Sequence, residues 1–400
     1  MPPEGGIAYA DIWNVKIFFL WHAAADPNNH PLFDAMLRAR NLEIRVLTLP
    51  GVEDRQVRWR LAQPVERRNP ATGSRYRIVP GRAVSAASLG HHWYTDLPKH
   101  LREFRPDLIH LATGEAAMAV AVEMAAARRV FAPRARLLIH IVQNLLVDYR
   151  WPWPLLERWV LRQVDGAVAY SPGAEWLLRR RGFGKRIWVQ PFGVDARLFR
   201  PRRLPPRRFG LATGVPVIGW VGRIFLGKGL HLLLEASARM KRNHQILVVG
   251  DGPRRDAEHA RAARLGIAAR VRWAGPVSLA RIPDCYAAMD VYTHPGVSRP
   301  ADMPAWKEQF ARTLPEAMLT GLPVVGTRSG EIPWVVGDGG IIVPERDPAA
   351  LARALDRLMG SAALRRQLGG FGRARALEHF TFDAAAAGLV RIWREALANR

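Results

Sequence analysis

The chain has 400 residues, enough for two domains of ordinary size, and 49% of it is hydrophobic, so each domain could bury its own core. The formal net charge is +24, and only six of the 59 cationic residues are lysine, which points to anionic partners or to a compositional bias toward arginine. The single cysteine, Cys285, excludes an internal disulfide, and no Cys/His cluster has zinc spacing, so a reducing, cytoplasmic setting is expected.

No run reaches the ~20 apolar residues needed to span a bilayer. VKIFFLW (15–21) is too short and lacks a small-residue cleavage site. A soluble or peripheral protein is expected. In chain order, KIFFL, EIRVLTL, DLIHL, RLLIHIV and GAVAY read as strands, separated by helix-like runs such as PLFDAMLRAR and GEAAMAVAVEMAAARR. Residues 55–90 show no clear pattern. RPRRLPPRR (200–208) carries three prolines and five arginines and reads as a linker with a solvated face. The rhythm then restarts. VPVIGWVG, HQILVVG, RVRWAG, DVYTHPG, LPVVGT and GGIIV are strand-like, and LHLLLEASARM, PRRDAEHARAARLG and DPAALARALDRLM are helix-like. The chain ends in a helical run, FDAAAAGLVRIWREALANR.

Alternating strands and helices predict α/β architecture with parallel sheets. The expected division is residues 1–199, a linker over 200–209, a second unit over 210–381 and a terminal helix over 382–400. Open α/β sheets bind ligands beyond the carboxyl ends of their strands, so the chemistry belongs in the loops that follow strands.

Three such loops stand out. GWVGRIFLGKG (219–229) runs from strand to glycine turn to helix, with Gly222, Arg223 and Lys228 in it. Two cations beside a helix start suit a diphosphate, the arginine as a fork and the lysine as a point charge. The Walker A spacing is missing. VVGDGP (248–253) is a strand-end turn in which Gly250 and Gly252 permit close backbone approach and Asp251 could cap the next helix. KEQFARTLPEAM (307–318) places Glu308 and Glu316 eight positions apart, with Pro315 marking a first helical turn. Even on one continuous helix they would stand about 80° and ~12 Å apart, too far to grip one atom. They could hold two hydroxyl-rich ends of one ligand, with phosphate at the amides of Phe310, Ala311, Arg312 and Thr313. Each loop also has a bland reading, as a solvated turn or a helix start favoured by the dipole. Together they have the layout of a nucleotide-sugar site.

Residues 215–345 resemble the donor half of the family 4 retaining glycosyltransferases. The resemblance rests on R-x4-K (Arg223, Lys228), the GDGP turn, E-x7-E (Glu308, Glu316), AMLTGLPVVGT and SGEIPWVV. It is looser in RPDLIHLATGEAAMAV, QNLLVDYRWP and QPFGVDARLFRP, and covers most of the chain beyond about residue 105. It implies a GT-B fold: two Rossmann-like, doubly wound parallel-sheet domains facing a cleft, with the C-terminal helix crossing back to the first. It implies a transferase that moves a sugar from a nucleotide-diphosphate sugar to a hydroxyl of a glycan, lipid-linked or envelope saccharide, or small molecule. Arg223 and Lys228 would stabilise the leaving diphosphate, Glu308 would orient the donor sugar, and Glu316 would bind the ribose. No metal and no cofactor would be needed. The sequence departs from the family at Ala311, where glycine is usual, and at WHAAADPNNH (21–30), which replaces a glycine-rich loop. Where many members have an acceptor-side histidine, the nearest residues are Gln143 and Asn144, with His140 and Glu115 as substitutes.

DYRWPWPLLERWVLRQ (148–163) and LLRRRGFGKR (177–186) combine tryptophan with cations. They suit an anionic membrane surface, on the inner face of the membrane, or else pack as core. Competing readings are a GT-B epimerase or phosphorylase, a non-catalytic nucleotide-sugar binder, and a basic nucleic-acid-binding protein. For the last the sequence offers no recognition motif, so no nucleic-acid partner is expected.

Overall fold

The computed structural model describes residues 14–52, 60–84, 92–114, 116, 118–303 and 306–398. An eight-stranded sheet occupies the first half. Across it the strands run Ile187–Val189, Gly166–Ala169, Arg136–Ile141, Leu108–Gly114, Val15–Trp21, Leu42–Thr48, Ser74–Pro80 and Val65–Asn69. All neighbours pair in parallel except the last, which is an antiparallel edge. The central strands are near-continuous apolar runs because helices cover both faces. Val65–Asn69 (VERRN) turns three charged residues to solvent, as an edge strand tolerates. This edge and Ser74–Pro80 fall in the stretch where the sequence shows no pattern.

The second sheet has six parallel strands, in the order Val271–Gly275, Gln245–Val249, Val217–Val221, Val291–His294, Val324–Thr327 and Gly340–Val343. This is the doubly wound order, with the first strand central and the order reversing between it and Val291–His294. The expected α/β architecture with two Rossmann-like sheets is what the chain adopts.

One buried cluster joins the facing sides of the two halves. It runs from Phe19, Tyr170 and Phe192 of the first to Phe310, Ala317 and Tyr292 of the second. Separate cores fill the far face of each sheet. The described residues of the proline–arginine segment are mostly exposed, as expected, and ion pairs and a backbone hydrogen bond tie them to the second half. Arg202 pairs with Asp284 at 2.9 Å, Arg203 with Asp290 at 3.2 Å, and the Leu204 N–H donates to the Ala287 carbonyl at 3.0 Å.

Helix Ala362–His379 has no counterpart in the sequence reading, because LGGFG looks like a break. Gly369 and Gly372 serve close packing instead. A Cβ on Gly369 would stand 2.1 Å from the Gly321 carbonyl oxygen. The final helix, Phe382–Ala398, crosses back to the first half. There Trp393 donates from Nε1 to His110 Nδ1 at 3.0 Å, and Glu395 accepts from Trp188 Nε1 at 2.8 Å.

Candidate functional site

The reversal of strand order places the ends of Val217–Val221 and Val291–His294 side by side, and the chain leaves them in opposite directions. Gly222 follows the first strand and donates its N–H to the Val249 carbonyl at 3.0 Å. The Ile224 N–H reaches the Asp251 carbonyl at 2.9 Å, so the GDGP turn lies on the Arg223 loop. Only glycine fits at Gly250: its φ is +129°, and a Cβ would stand 1.9 Å from the Gly222 oxygen. Gly252 backs onto Ile224 in the same way. The Asp251 side chain does not cap the next helix, as the sequence suggested. It accepts from the Gly252 N–H at 2.8 Å, and the helix starts later, at Arg255.

Arg223 is exposed, and its guanidinium has no ion-pair or hydrogen-bond partner among the described residues. Lys228 ends a short 3-10 turn, Leu226–Lys228, just before helix Leu230–Arg239. Its Nζ lies 2.6 Å from Glu308 Oε2 and 5.3 Å from the Trp306 ring centroid. Strand-end geometry thus delivers both cations to one edge of the sheet.

Glu308 is in the loop before the next helix and is buried. The same Oε2 accepts from His294 Nε2 at 2.8 Å. Burial alone would raise this carboxyl, but the Lys228 charge and the His294 hydrogen bond outweigh it and hold Glu308 far below the ordinary range. Burial depresses His294 against the raising pull of Glu308, and since the carboxylate can only accept, the ring donates to it from Nε2. His294 was not among the residues singled out from the sequence. The signal available was a polar residue closing a buried strand, VYTH, at a sheet edge where strand order reverses.

Helix Thr313–Leu319 starts in the expected place. The amides of Phe310, Ala311, Arg312 and Thr313 have no acceptor among the described residues. Ala311 adopts φ 54°, the left-handed region that favours glycine. The Phe310 ring turns away from these amides, packing on Tyr170 at 5.1 Å and Phe380 at 5.4 Å. Glu316 rides on the first turn, buried, and accepts from Tyr286 Oη at 3.0 Å. Burial pushes its carboxyl up to about 7, against the opposing pull of Arg312 and the Tyr286 hydroxyl.

Facing this edge, a cavity of about 360 Å³ opens at the carboxyl ends of Val15–Trp21 and Leu108–Gly114. Its walls include His22, Asn29, Gln143, Gln309 and Arg312, so both halves of the chain contribute. Arg312 reaches Asn29 Oδ1 at 3.3 Å. Burial, with a smaller contribution from His92, pulls His22 down to about 4, so this wall offers a neutral imidazole. Of the four acceptor-side residues named from the sequence, Gln143 lines the cavity. His140 does not. It is fully buried on its strand, 4.4 Å from the Phe192 ring and hydrogen-bonded to His110 at 3.1 Å. Asn144 is also buried. Its Nδ2 donates to the Glu308 carbonyl at 2.9 Å and to Glu331 Oε1 at 3.1 Å, which makes it a bridge between the halves rather than a cavity wall. Glu115 lies outside the described residues. No group of three His, Cys, Asp or Glu side chains that could hold a metal ion occurs among the described residues.

Residues 35–198 match the family described as Glycosyltransferase Family 4, and residues 215–361 match Glycosyl transferases group 1. The two matches take in both sheets and the loops just described. The chain belongs to glycosyltransferase family 4.

A D-inositol 3-phosphate glycosyltransferase of Streptomyces bingchenggensis is 33% identical over 223 residues, 51% of this chain and 47% of that one. The chain spans about half the length of that relative. Sucrose-phosphate synthase of Thermosynechococcus elongatus shares the fold with a TM-score of 0.71, over 96% of this chain and 100% of that one, at 21% identity. HepE of Anabaena, solved with UDP, shares it with a TM-score of 0.68, over 95% and 100%, at 18% identity. Within family 4, Ala311 now has a structural meaning. It stands at a left-handed position, the conformation that favours glycine.

Proposed function

We propose that the protein transfers a sugar from a nucleoside-diphosphate sugar to a hydroxyl acceptor. The observation that carries this reading is the convergence, at one sheet edge, of Arg223, Lys228, Glu308 and the unpaired amides of 310–313. The diphosphate lies on the two cations and the amides, Glu316 accepts from the ribose hydroxyls, and Glu308 accepts from a hydroxyl of the donor sugar. The complex of HepE with UDP supports the nucleotide, and a second complex of that protein holds UDP-glucose.

In the reaction, the bond between the anomeric carbon and the diphosphate oxygen breaks. The acceptor oxygen bonds to that carbon from the same face, and its proton passes to the departing phosphate oxygen. Configuration is retained without a covalent intermediate. Charge grows on the diphosphate as it leaves, so cations fixed in advance stabilise the transition state more than the ground state. Arg223 and Lys228 supply that charge, and the reading needs no metal or cofactor. The acceptor enters the cavity walled by His22, Asn29 and Gln143.

A surface near that cavity favours an acceptor presented at an anionic membrane. From Gln143 the chain runs through Leu146 to Trp151, which is 81% exposed. Leu155 and Trp176 are also exposed, beside Arg158, Arg179 and Arg180. Among the described residues no helix is long and apolar enough to cross a membrane.

Release of nucleoside diphosphate from UDP-, GDP- and ADP-sugars tests the reading. One donor is expected to turn over, and Arg223→Ala or Lys228→Ala to slow it by roughly 100–1,000-fold. Turnover unaffected by either change contradicts it. Failure to pellet with anionic vesicles at low salt removes the membrane element alone.

A further inference from the structure

Two donors meet on one oxygen of Glu308. Lys228 Nζ and His294 Nε2 lie 2.6 Å and 2.8 Å from Oε2, and neither reaches Oε1. The two donors differ in what else they must do. In the reaction proposed above, Lys228 turns to the diphosphate. It is part-exposed on a short turn and can swing. His294 cannot. Its ring is 1% exposed, at the end of a strand paired on both sides, with Tyr292 Oη 3.3 Å from its other nitrogen. The Glu308 carboxylate can only accept, which places a proton on Nε2, while the Tyr292 hydroxyl lies between Nδ1 and the Val221 carbonyl, to which it donates at 3.4 Å.

We infer that His294 is a positioning residue: it holds Glu308 Oε2 in place when the donor diphosphate takes Lys228, so that Oε1 stays aimed at the donor sugar. The inference rests on the proposed transferase reading. Without His294, Glu308 would follow Lys228 toward the phosphates or take a proton in a buried site. The groups facing the ring are Tyr292 from its own strand, and Glu308 and Lys228 from the loops packed against it. A lone buried histidine is more often a core residue. Here its two hydrogen-bond partners are a tyrosine and the one carboxylate paired with the site lysine.

The test compares wild type, His294→Leu and His294→Gln with whichever of UDP-, GDP- and ADP-glucose the wild type consumes. His294→Leu is expected to lower kcat by about 10–100-fold, the effect of losing one hydrogen bond to a charged group. The Kd of the matching nucleoside diphosphate is expected to stay within about twofold, because Arg223 and Lys228 remain. The acid limb of kcat is expected to move to higher pH, because the carboxylate has lost a donor. His294→Gln keeps an N–H donor and is expected to recover most of kcat. Should His294→Leu not fold, His294→Gln decides, with kcat near wild type and an unmoved acid limb in support. An unchanged kcat in His294→Leu overturns the inference while leaving the transferase reading intact. So does an equal loss in both variants with a parallel fall in Tm. A wild type that consumes none of the three donors overturns the transferase reading, and this inference with it.

Discussion

Asn144 and Glu308 meet across the two halves of the chain: the asparagine Nδ2 donates to the glutamate's main-chain carbonyl at 2.9 Å. The same amide reaches Glu331 Oε1 at 3.1 Å, and the Glu331 N–H also donates to the Glu308 carbonyl, at 3.1 Å. The backbone that carries the key carboxylate is therefore fixed from the opposite domain. Its position depends on how the domains sit.

Removing that bridge is costly twice over. Asn144→Leu leaves the Glu331 carboxylate without its amide in a buried place, at a cost of about 1–3 kcal/mol. A Tm several degrees lower is expected in thermal unfolding, with slower donor turnover. An unchanged Tm would show that the bridge adds nothing to the packing of Phe310 on Tyr170.

Glu316 gives stability a pH dependence. Its carboxyl rises from an ordinary 4.5 to about 7, burial being the main cause. Between these values the folded protein keeps a proton that the unfolded chain releases. The group's contribution is full below about pH 4.5 and is lost as pH rises to about 7, a loss on the order of 3 kcal/mol. Glu308 acts in the opposite sense, because Lys228 and His294 overcome its burial. Glu316→Gln removes the first effect alone. Its Tm relative to wild type is expected to be higher at pH 8 than at pH 5, and a difference independent of pH would refute the assignment.

At Ala311 the backbone itself is the test. Holding alanine at φ 54° costs about 1–2 kcal/mol, and glycine avoids this while losing about 0.5–1 kcal/mol of chain entropy. Ala311→Gly is therefore expected to match or slightly exceed wild-type stability and to bind nucleoside diphosphate at least as tightly. Ala311→Val puts a β-branched residue there and is expected to lower the Tm by several degrees. Equal Tm values for the two variants would contradict the left-handed geometry.

The C-terminal helix is held by a buried chain of donors, Trp393 to His110 to His140. Trp393→Phe keeps the ring and strands His110 Nδ1, for about 1–3 kcal/mol. A lower unfolding midpoint in urea is expected, with nucleoside diphosphate affinity unchanged. A loss of that affinity would mean that the helix bears on the donor site directly.

Much of the donor edge was legible because its residues lie in loops that must follow strands. Glycine turns, Arg223, Lys228 and the paired glutamates keep their spacing whatever the tertiary contacts. The facing wall was harder to read. His140 and Asn144 look suitable by position, but strand alternation buries the first, and the second serves the other domain. His294 closes a short buried strand, VYTH, and gains its meaning only when Glu308 folds onto it. The strand edge at Val65–Asn69 hid behind its arginines, and helix Ala362–His379 behind glycines of which Gly369 and Gly372 serve close packing.

The most direct test is a thermal-shift panel of UDP, GDP, ADP and their sugars on wild type, Lys228→Ala and Glu316→Ala. A ligand at 100 times its Kd adds about 2.7 kcal/mol of stability. The account predicts a rise in Tm with one nucleotide in the wild type, reduced or abolished in both variants. No shift with any nucleotide, or a shift that both variants keep in full, would contradict it.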